Sequence, residues 1–576
     1  MQRLGFGGRR SWRRGAAAAT AWLASMAVGG AVGALATLGA AMAAGASPLF
    51  AAAELPAYSV PGGTLLDKTV TYRSDEDHFK YGSLGGERGY HGQVGFGLPY
   101  WLWVALPEVF ADLLPEKGPP GAGYSRFGYI YEPGRDPRFQ LPIGTSQRRN
   151  LGIDRVWINC GVCHTGVVRD TAQGPPRIVL GMPANRYNQG AWVQFLFKAA
   201  HDDQRFTPER LLPAIRRLEQ ERRQAAAAGK LASGTWLPPE LNLLDEAIYR
   251  RFVIPIMKKR LQDLSGRLWF IDFGSWGPGR VDTFNAPKGL LNFPMRLAPR
   301  EELIGNADLP SVWHQQDRVG MWLHWDGNNN SVQERNLSAA FAAAIPPTLD
   351  KCSLRRVARY LETLSPPPFP EDKINRELVA TGAPIYHERC AGCHGAGQPP
   401  FKRAGGIGDR VGTVIPIGKI GTDRWRLDSY TPELAKAQNT LYAQYPLPGS
   451  QGCPGDDGAK DYPARFTHFR KTAGYAASPL DGLWLRAPYL HNGSVPNLRA
   501  LLEPSDKRPK EFWTGYEVYD YRNVGFETQS PEARHQGWRY DTRKPGNGNQ
   551  GHEGHEYGTD LSQAEKEALL EYLKTF

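Results

Sequence analysis

"NCGVCHTG", residues 159–166, sets two cysteines three positions apart with a histidine directly after the second: Cys160-x-x-Cys163-His164. Three chemistries use such a unit. A structural zinc site needs four ligands, usually two close cysteine pairs, and does not require a histidine at the very next position. A redox dithiol wants one C-x-x-C at a helix start in a βαβ setting. Covalent haem attachment uses every residue: both thiols add to the vinyl groups of one porphyrin, and the adjacent histidine becomes the proximal iron ligand. The unit recurs as "CAGCH" at 390–394, with Cys390, Cys393 and His394. Zinc and dithiol stay open as alternatives, but two copies, each with its histidine, favour two covalently bound haem c groups with His164 and His394 on the irons.

The rest of the chain is read around these two anchors. At 576 residues it exceeds one ordinary core, so at least two domains are expected. Its 65 glycines and 46 prolines indicate a loop-rich protein. The net charge is +11, but "MQRLGFGGRRSWRR" at 1–14 holds five of the arginines, and no later basic stretch is interleaved with aromatics as in a nucleic-acid groove. Residues 1–53 read as a signal peptide, basic and then apolar with small residues at the end, or as an uncleaved signal anchor, the one case in which a membrane is a partner. The expected location is periplasmic or secreted, by the general secretory route, because c-type haems are attached outside the cytoplasm and the apoprotein should cross unfolded. In that compartment Cys352 and Cys453 could form a disulfide.

Helical signals are clear in two places. Thr207 and Pro208 are an N-cap and a first helical residue ahead of "ERLLPAIRRLEQERRQAAAA", in which Pro213 could introduce a kink. At the other end, Ser562 and Glu565 form a capping box before a stripe of Leu569, Leu570, Leu573 and Phe576. "SPPPFPED" at 365–372 reads as a linker.

Several segments resemble the bacterial dihaem c-type cytochromes of the cytochrome c peroxidase superfamily, closest to the rubber-oxygenase type. "GAPIYHERCAGCH" at 382–394 resembles the first helix of a class I cytochrome c, and "EALLEYLKTF" at 567–576 its last helix. "APYLHNGSVPNLRALLEP" at 487–504 is similar to the loop that follows the haem in this superfamily, and "LHWDGNNNSVQERN" at 323–336 to the tryptophan-aspartate-glycine segment between the haem motifs. The resemblance implies a mainly α fold with extensive loops: two class I cytochrome c-like haem domains with long insertions, over 54–365 and 366–576. It also implies a haem-dependent oxidoreductase, dioxygenase-like or peroxidase-like, whose N-terminal haem binds O2 or H2O2 and whose C-terminal haem transfers electrons. Oxidative cleavage of a hydrophobic alkene such as polyisoprene is the expectation; a peroxidase-like enzyme and a non-catalytic dihaem electron carrier are the alternatives. An electron-donor protein is a possible partner. Related peroxidases hold a calcium ion, for which no dense acidic loop stands out here.

The resemblance also directs attention to the sixth iron ligands. "LRALLEPSDKRP" at 498–509 lacks the methionine used by the peroxidases. The rubber-oxygenase type uses a late histidine, for which His555 is the candidate and His552 the near alternative. His491 is read as shaping the haem pocket or as a loop residue. The N-terminal haem has no obvious second ligand; His314 and His324 could be distal, although a structural role is the simpler reading of each. Family peroxidases place a glutamine and then a glutamate after the WDG segment. Here Arg335 takes the glutamine position, and "RNLSAAFAAAIPP" at 335–347 has no carboxylate. An apolar distal pocket is therefore expected, with Phe341, Ala340, Arg335 and Trp325 as candidate catalytic residues and Ala344 as further lining.

Overall fold

The segment leading into Cys160 is a β-hairpin, Thr145–Asn150 and Ile153–Ile158, paired from Thr145↔Ile158 to Asn150↔Ile153. Leu151 and Gly152 turn it with φ of 52° and 77°, the left-handed pair that two-residue hairpins require. The short strands Lys68–Thr69 and Leu98–Pro99 extend it to four strands. A second hairpin, Thr165–Val168 with Arg177–Leu180, starts immediately after His164. The one-turn helix α1 (Cys160–Cys163) is thus held between two hairpins.

The computed structural model describes residues 74–85, 97–231, 238, 240–274, 276–341, 349–441 and 465–576, with strand pairs at 58–59, 68–69 and 71–72. The N-terminal segment 1–53, Ala344 and Cys453 lie outside the described residues. Among the described residues no helix is long and apolar enough to cross a membrane.

Helices follow the second hairpin: α2 (Gln189–His201), α3 (Pro208–Ala227) and α4 (Ile254–Arg267). The expected start at Pro208 is observed, but Thr207 makes no side-chain cap hydrogen bond, and Pro213 sits inside the helix without ending it. Together with the helix Tyr100–Val109 they enclose an aromatic core of Trp101, Trp103, Tyr124, Phe195 and Trp192. Helix α5 (Val332–Ala340) follows the WDG segment, and α6 (Lys351–Thr363) precedes the proline-rich stretch.

That stretch is packed. Phe369 is buried against Trp484, with ring centroids 5.4 Å apart, and belongs to a core that joins Val168, Met182 and Trp313 to residues of the C-terminal third. Beyond it, α7 (Arg376–Arg389) is capped by Asn375 and runs into the second haem motif, whose short helix is α8 (Ala391–His394). The final helix, α9 (Gln563–Leu573), carries the expected Ser562–Glu565 capping box, and Leu569, Leu570, Leu573 and Phe576 are all buried. Helices α7 and α9 cross at Gly382, where a Cβ would lie 2.0 Å from the Ala568 carbonyl oxygen.

Candidate haem sites

The two C-x-x-C-H units hold their histidines alike but start differently, since only the first has a side-chain cap. Asn159 caps α1, accepting from Gly161 N at 2.9 Å while its amide nitrogen donates to Gly82 O at 3.0 Å. Gly144 permits the close approach beneath it: at φ 85°, a Cβ there would lie 2.0 Å from Val162 N. His164 Nδ1–H donates to Pro310 O at 2.8 Å, and His394 Nδ1–H to Ser478 O, also at 2.8 Å. A donor bond at Nδ1 fixes the ring and leaves the Nε2 lone pair for a metal. Burial, aided by Arg335, pushes the His164 imidazole down to about 4, and burial lowers His394 as well, so each is neutral and ready to ligate.

Burial raises Cys160 to about 11 and Cys163 and Cys390 to about 12, whereas a reactive dithiol has a depressed value. The four cysteines are free, and no group of three or more His, Cys, Asp or Glu converges among the described residues, so the two pairs do not share a zinc ion. Thiols that lie in the interior and yet stay partly open, beside a histidine with its Nε2 unused, fit thioether attachment of a porphyrin. Cys352 is disulfide-bonded; the pairing with Cys453 involves a residue outside the described set.

The two late histidines offered as second ligand at the C-terminal site, His555 and His552, lie in different settings. His555 is 70 % exposed at its side chain and pairs with Asp560 at 2.8 Å. His552 faces His394 instead, with ring centroids 6.2 Å apart. Imidazole nitrogens bond first-row metals at about 2 Å, so two such bonds and the half-width of each ring span about 6 Å. Burial, with His394 and Arg508 nearby, pushes His552 down to about 3. Its Nδ1 is wholly occluded, which leaves Nε2 as the accessible nitrogen. The residue that fixes this loop escaped sequence reasoning: buried Arg508 donates to Asn549 O (2.6 Å), Gly551 O (2.8 Å) and His552 O (3.1 Å). A lone arginine in a loop carries no pattern that could have singled it out.

His491 and His314 are structural. The Tyr475 hydroxyl donates to Asp423 O at 2.8 Å, and His491 Nε2–H donates to the Tyr475 hydroxyl oxygen at 3.0 Å and stacks on that ring. Both nitrogens of His314 are used, by Asp481 and Ser365, each at 2.9 Å. Among the described residues no second imidazole makes with His164 the ring contact that His552 makes with His394.

The candidate catalytic residues Ala340, Phe341, Trp325 and Arg335 lie as follows. Ala340 is fully buried in a cluster with Leu84, Leu337 and Phe466, in the core rather than at a cavity wall. Phe341 stacks on Phe466 at 5.4 Å and packs on that cluster, which also takes Cys160. Trp325 Nε1 donates to Asp308 O at 2.8 Å, two residues before the carbonyl that holds His164. Arg335 lies near both His164 and Cys160, and burial and the like charge of Arg318 push its guanidinium down to about 10.

Residues 474–514, which contain Tyr475, His491 and Arg508, match a family model described as RoxA-like, cytochrome c-like. This supports a RoxA-type cytochrome c, and a cytochrome c-like domain implies haem c. Two curated proteins of Sinorhizobium fredii are similar, both described as uncharacterized. One, y4iJ, is 27% identical over 84% of this chain and 89% of its own length. The other, y4iM, is 31% identical over 47% of this chain and 64% of its own.

Proposed function

We propose that the chain is an exported dihaem c-type cytochrome oxidoreductase with one electron-transfer haem and one reactive haem. The asymmetry between the histidine pairs carries this reading: His394 has His552 at 6.2 Å, and His164 has no such partner among the described residues. An iron held by two imidazoles passes electrons, whereas an iron with a free sixth position takes O2 or peroxide. Cys160, Cys163 and His164 would hold the reactive haem; Cys390, Cys393, His394 and His552 the electron-transfer haem. The RoxA-like match supports rubber-oxygenase-type oxidative cleavage of a hydrophobic alkene such as polyisoprene, with Phe341 as an apolar neighbour of the attachment site. A peroxide-directed reading is favoured by a different observation, the Arg335 guanidinium, whose charge acts on both His164 and His324. An electron carrier would have both irons closed.

The test is optical. The reduced holoprotein should bind one carbon monoxide per two haems, with a high-spin signal from the N-terminal haem. Two low-spin irons and no carbon monoxide binding would leave an electron carrier. Oxygen uptake with a polyisoprene emulsion, set against peroxide consumption with an electron donor, then separates the two enzymatic readings.

A further inference from the structure

Four segments, 115–126, 186–194, 271–278 and 536–544, enclose a cleft of about 620 Å³ whose lining includes no residue of either C-x-x-C-H unit. Small-molecule sites have volumes of about 300–1,000 Å³. The start of α2 forms part of the wall, where Asn188, Gly190 and Ala191 line the cleft. Asn188 satisfies two of the first amides: its Oδ1 accepts from Ala191 N at 3.0 Å and its carbonyl from Trp192 N at 3.1 Å. The N–H groups of Gln189 and Gly190 have no acceptor among the described residues. Free amides at a helix start carry partial positive charge and favour an anion.

Buried side chains in the same wall point the same way independently. Trp276 is 8 % exposed, and its indole N–H has no partner among the described residues. That nitrogen lies beside Gly274, also a lining residue, where a Cβ would come within 2.4 Å of it. Arg186 pairs with Glu517 through Nη1 and keeps a buried Nε–H without a partner. Both unmatched buried side-chain atoms of the lining are therefore donors. An unmatched buried donor costs free energy that an acceptor in the cleft would recover. Charge agrees, since five basic residues and two acidic ones line the cleft. Lys117 donates to Arg534 O at 3.2 Å and Arg126 to Pro115 O at 2.7 Å, and neither forms an ion pair among the described residues. The remaining wall is apolar, with Ile271, Pro278 and Trp538, whose ring lies so close to Gly277 that a Cβ there would be 2.5 Å from it.

We propose that this cleft binds an organic anion, with a carboxylate or phosphate head at the start of α2 beside Lys117 and an apolar ring against Trp538. A cation is repelled by these groups, and a neutral molecule leaves Lys117 and Arg126 without counter-charge. The site does not depend on the state of either haem.

Isothermal titration of the holoprotein with phenyl phosphate and with benzoate is the test, with inorganic phosphate and benzyl alcohol alongside. Both organic anions should bind at one site and lose affinity as salt is added. Inorganic phosphate should bind more weakly than phenyl phosphate by on the order of 10-fold, for want of the ring, and benzyl alcohol should give no heat. Gln189→Pro removes one free amide at the helix position that tolerates proline, and Lys117→Glu reverses an exposed charge. Each should weaken phenyl phosphate by on the order of 10-fold, the worth of one charge-assisted hydrogen bond, with haem content and melting temperature unchanged. Lys117→Glu, at the surface, keeps the test open if Gln189→Pro disturbs folding. No heat with either organic anion, or affinities unchanged in Lys117→Glu, overturns the site. Inorganic phosphate as tight as phenyl phosphate overturns the organic ligand, and benzyl alcohol as tight as benzoate overturns the anion. A Soret shift that tracks the heat places the anion on an iron and also overturns the proposal.

Discussion

Two histidines three residues apart have opposite fates, and backbone geometry decides which one faces His394. The 546–562 segment is rich in glycine and polar residues, with no periodicity from which to read a facing side. Gly551, His552 and Gly554 take φ of 78°, 49° and 101°, and Arg508 holds the carbonyls of Asn549, Gly551 and His552. This path turns His552 inward and leaves His555 in solvent with Asp560. His552→Ala is therefore expected to convert the C-terminal haem from low-spin to high-spin, read by electron paramagnetic resonance. His552→Met should keep it low-spin and raise its midpoint potential by on the order of 100 mV, since a thioether favours the ferrous state and axial ligands span about 0.8 V. His555→Ala should change neither. The two C-x-x-C-H units stood out in the sequence because the spacing is itself a chemical signature. The histidine that faces His394 was legible only to within a loop, because that loop is set by a long-range clamp from a single arginine.

At the scale of elements, the α7–α9 crossing that backs the second haem site depends on Gly382. Alanine gains about 1 kcal/mol in helix propensity over glycine. Here its Cβ would lie 2.0 Å from a backbone carbonyl that cannot move without shifting α9. Overpacking of this kind costs about 1–3 kcal/mol or more, so Gly382→Ala should lower the melting temperature of the holoprotein in a thermal scan, with the C-terminal haem spectrum broadening first. A melting temperature equal to the wild type would mean that the helices can separate at no cost. The α9 capping box and the Pro208 helix were readable because caps and a 3.6-residue period are local. The hairpins around Cys160 were not, since their register depends on a turn at Leu151–Gly152 whose left-handed conformation no composition rule announces for leucine. The 365–372 stretch shows the converse: proline content marks the absence of regular structure, yet Phe369 is buried and Ser365 bonds His314.

Across the whole molecule, Asp481 ties distant parts of the chain to one point. Its carboxylate accepts from Arg318 and Arg486, each at 2.6 Å, and from His314 at 2.9 Å, which in turn bonds Ser365. The side chain is fully buried. Burial alone would raise its titration point, but Arg318, Arg486 and His314 outweigh it and hold the carboxyl well below the usual range. A carboxyl with a depressed folded value contributes its full stability above its unfolded value of about 3.9, and the contribution is lost as pH falls further toward the folded value. Acid melts should therefore drop steeply below about pH 4, and Asp481→Asn should flatten that drop while lowering stability at pH 7 by about 3–5 kcal/mol, the cost of leaving buried cations unpaired. Arg486 acts electrostatically on His394, so the same change leaves surplus positive charge near the C-terminal iron. The midpoint potential of that haem should rise in Asp481→Asn, with its bis-histidine spectrum retained. A potential that stays put while stability falls would mean that the cluster only ties segments together. A rise would show that the carboxylate also tunes a haem held at His394.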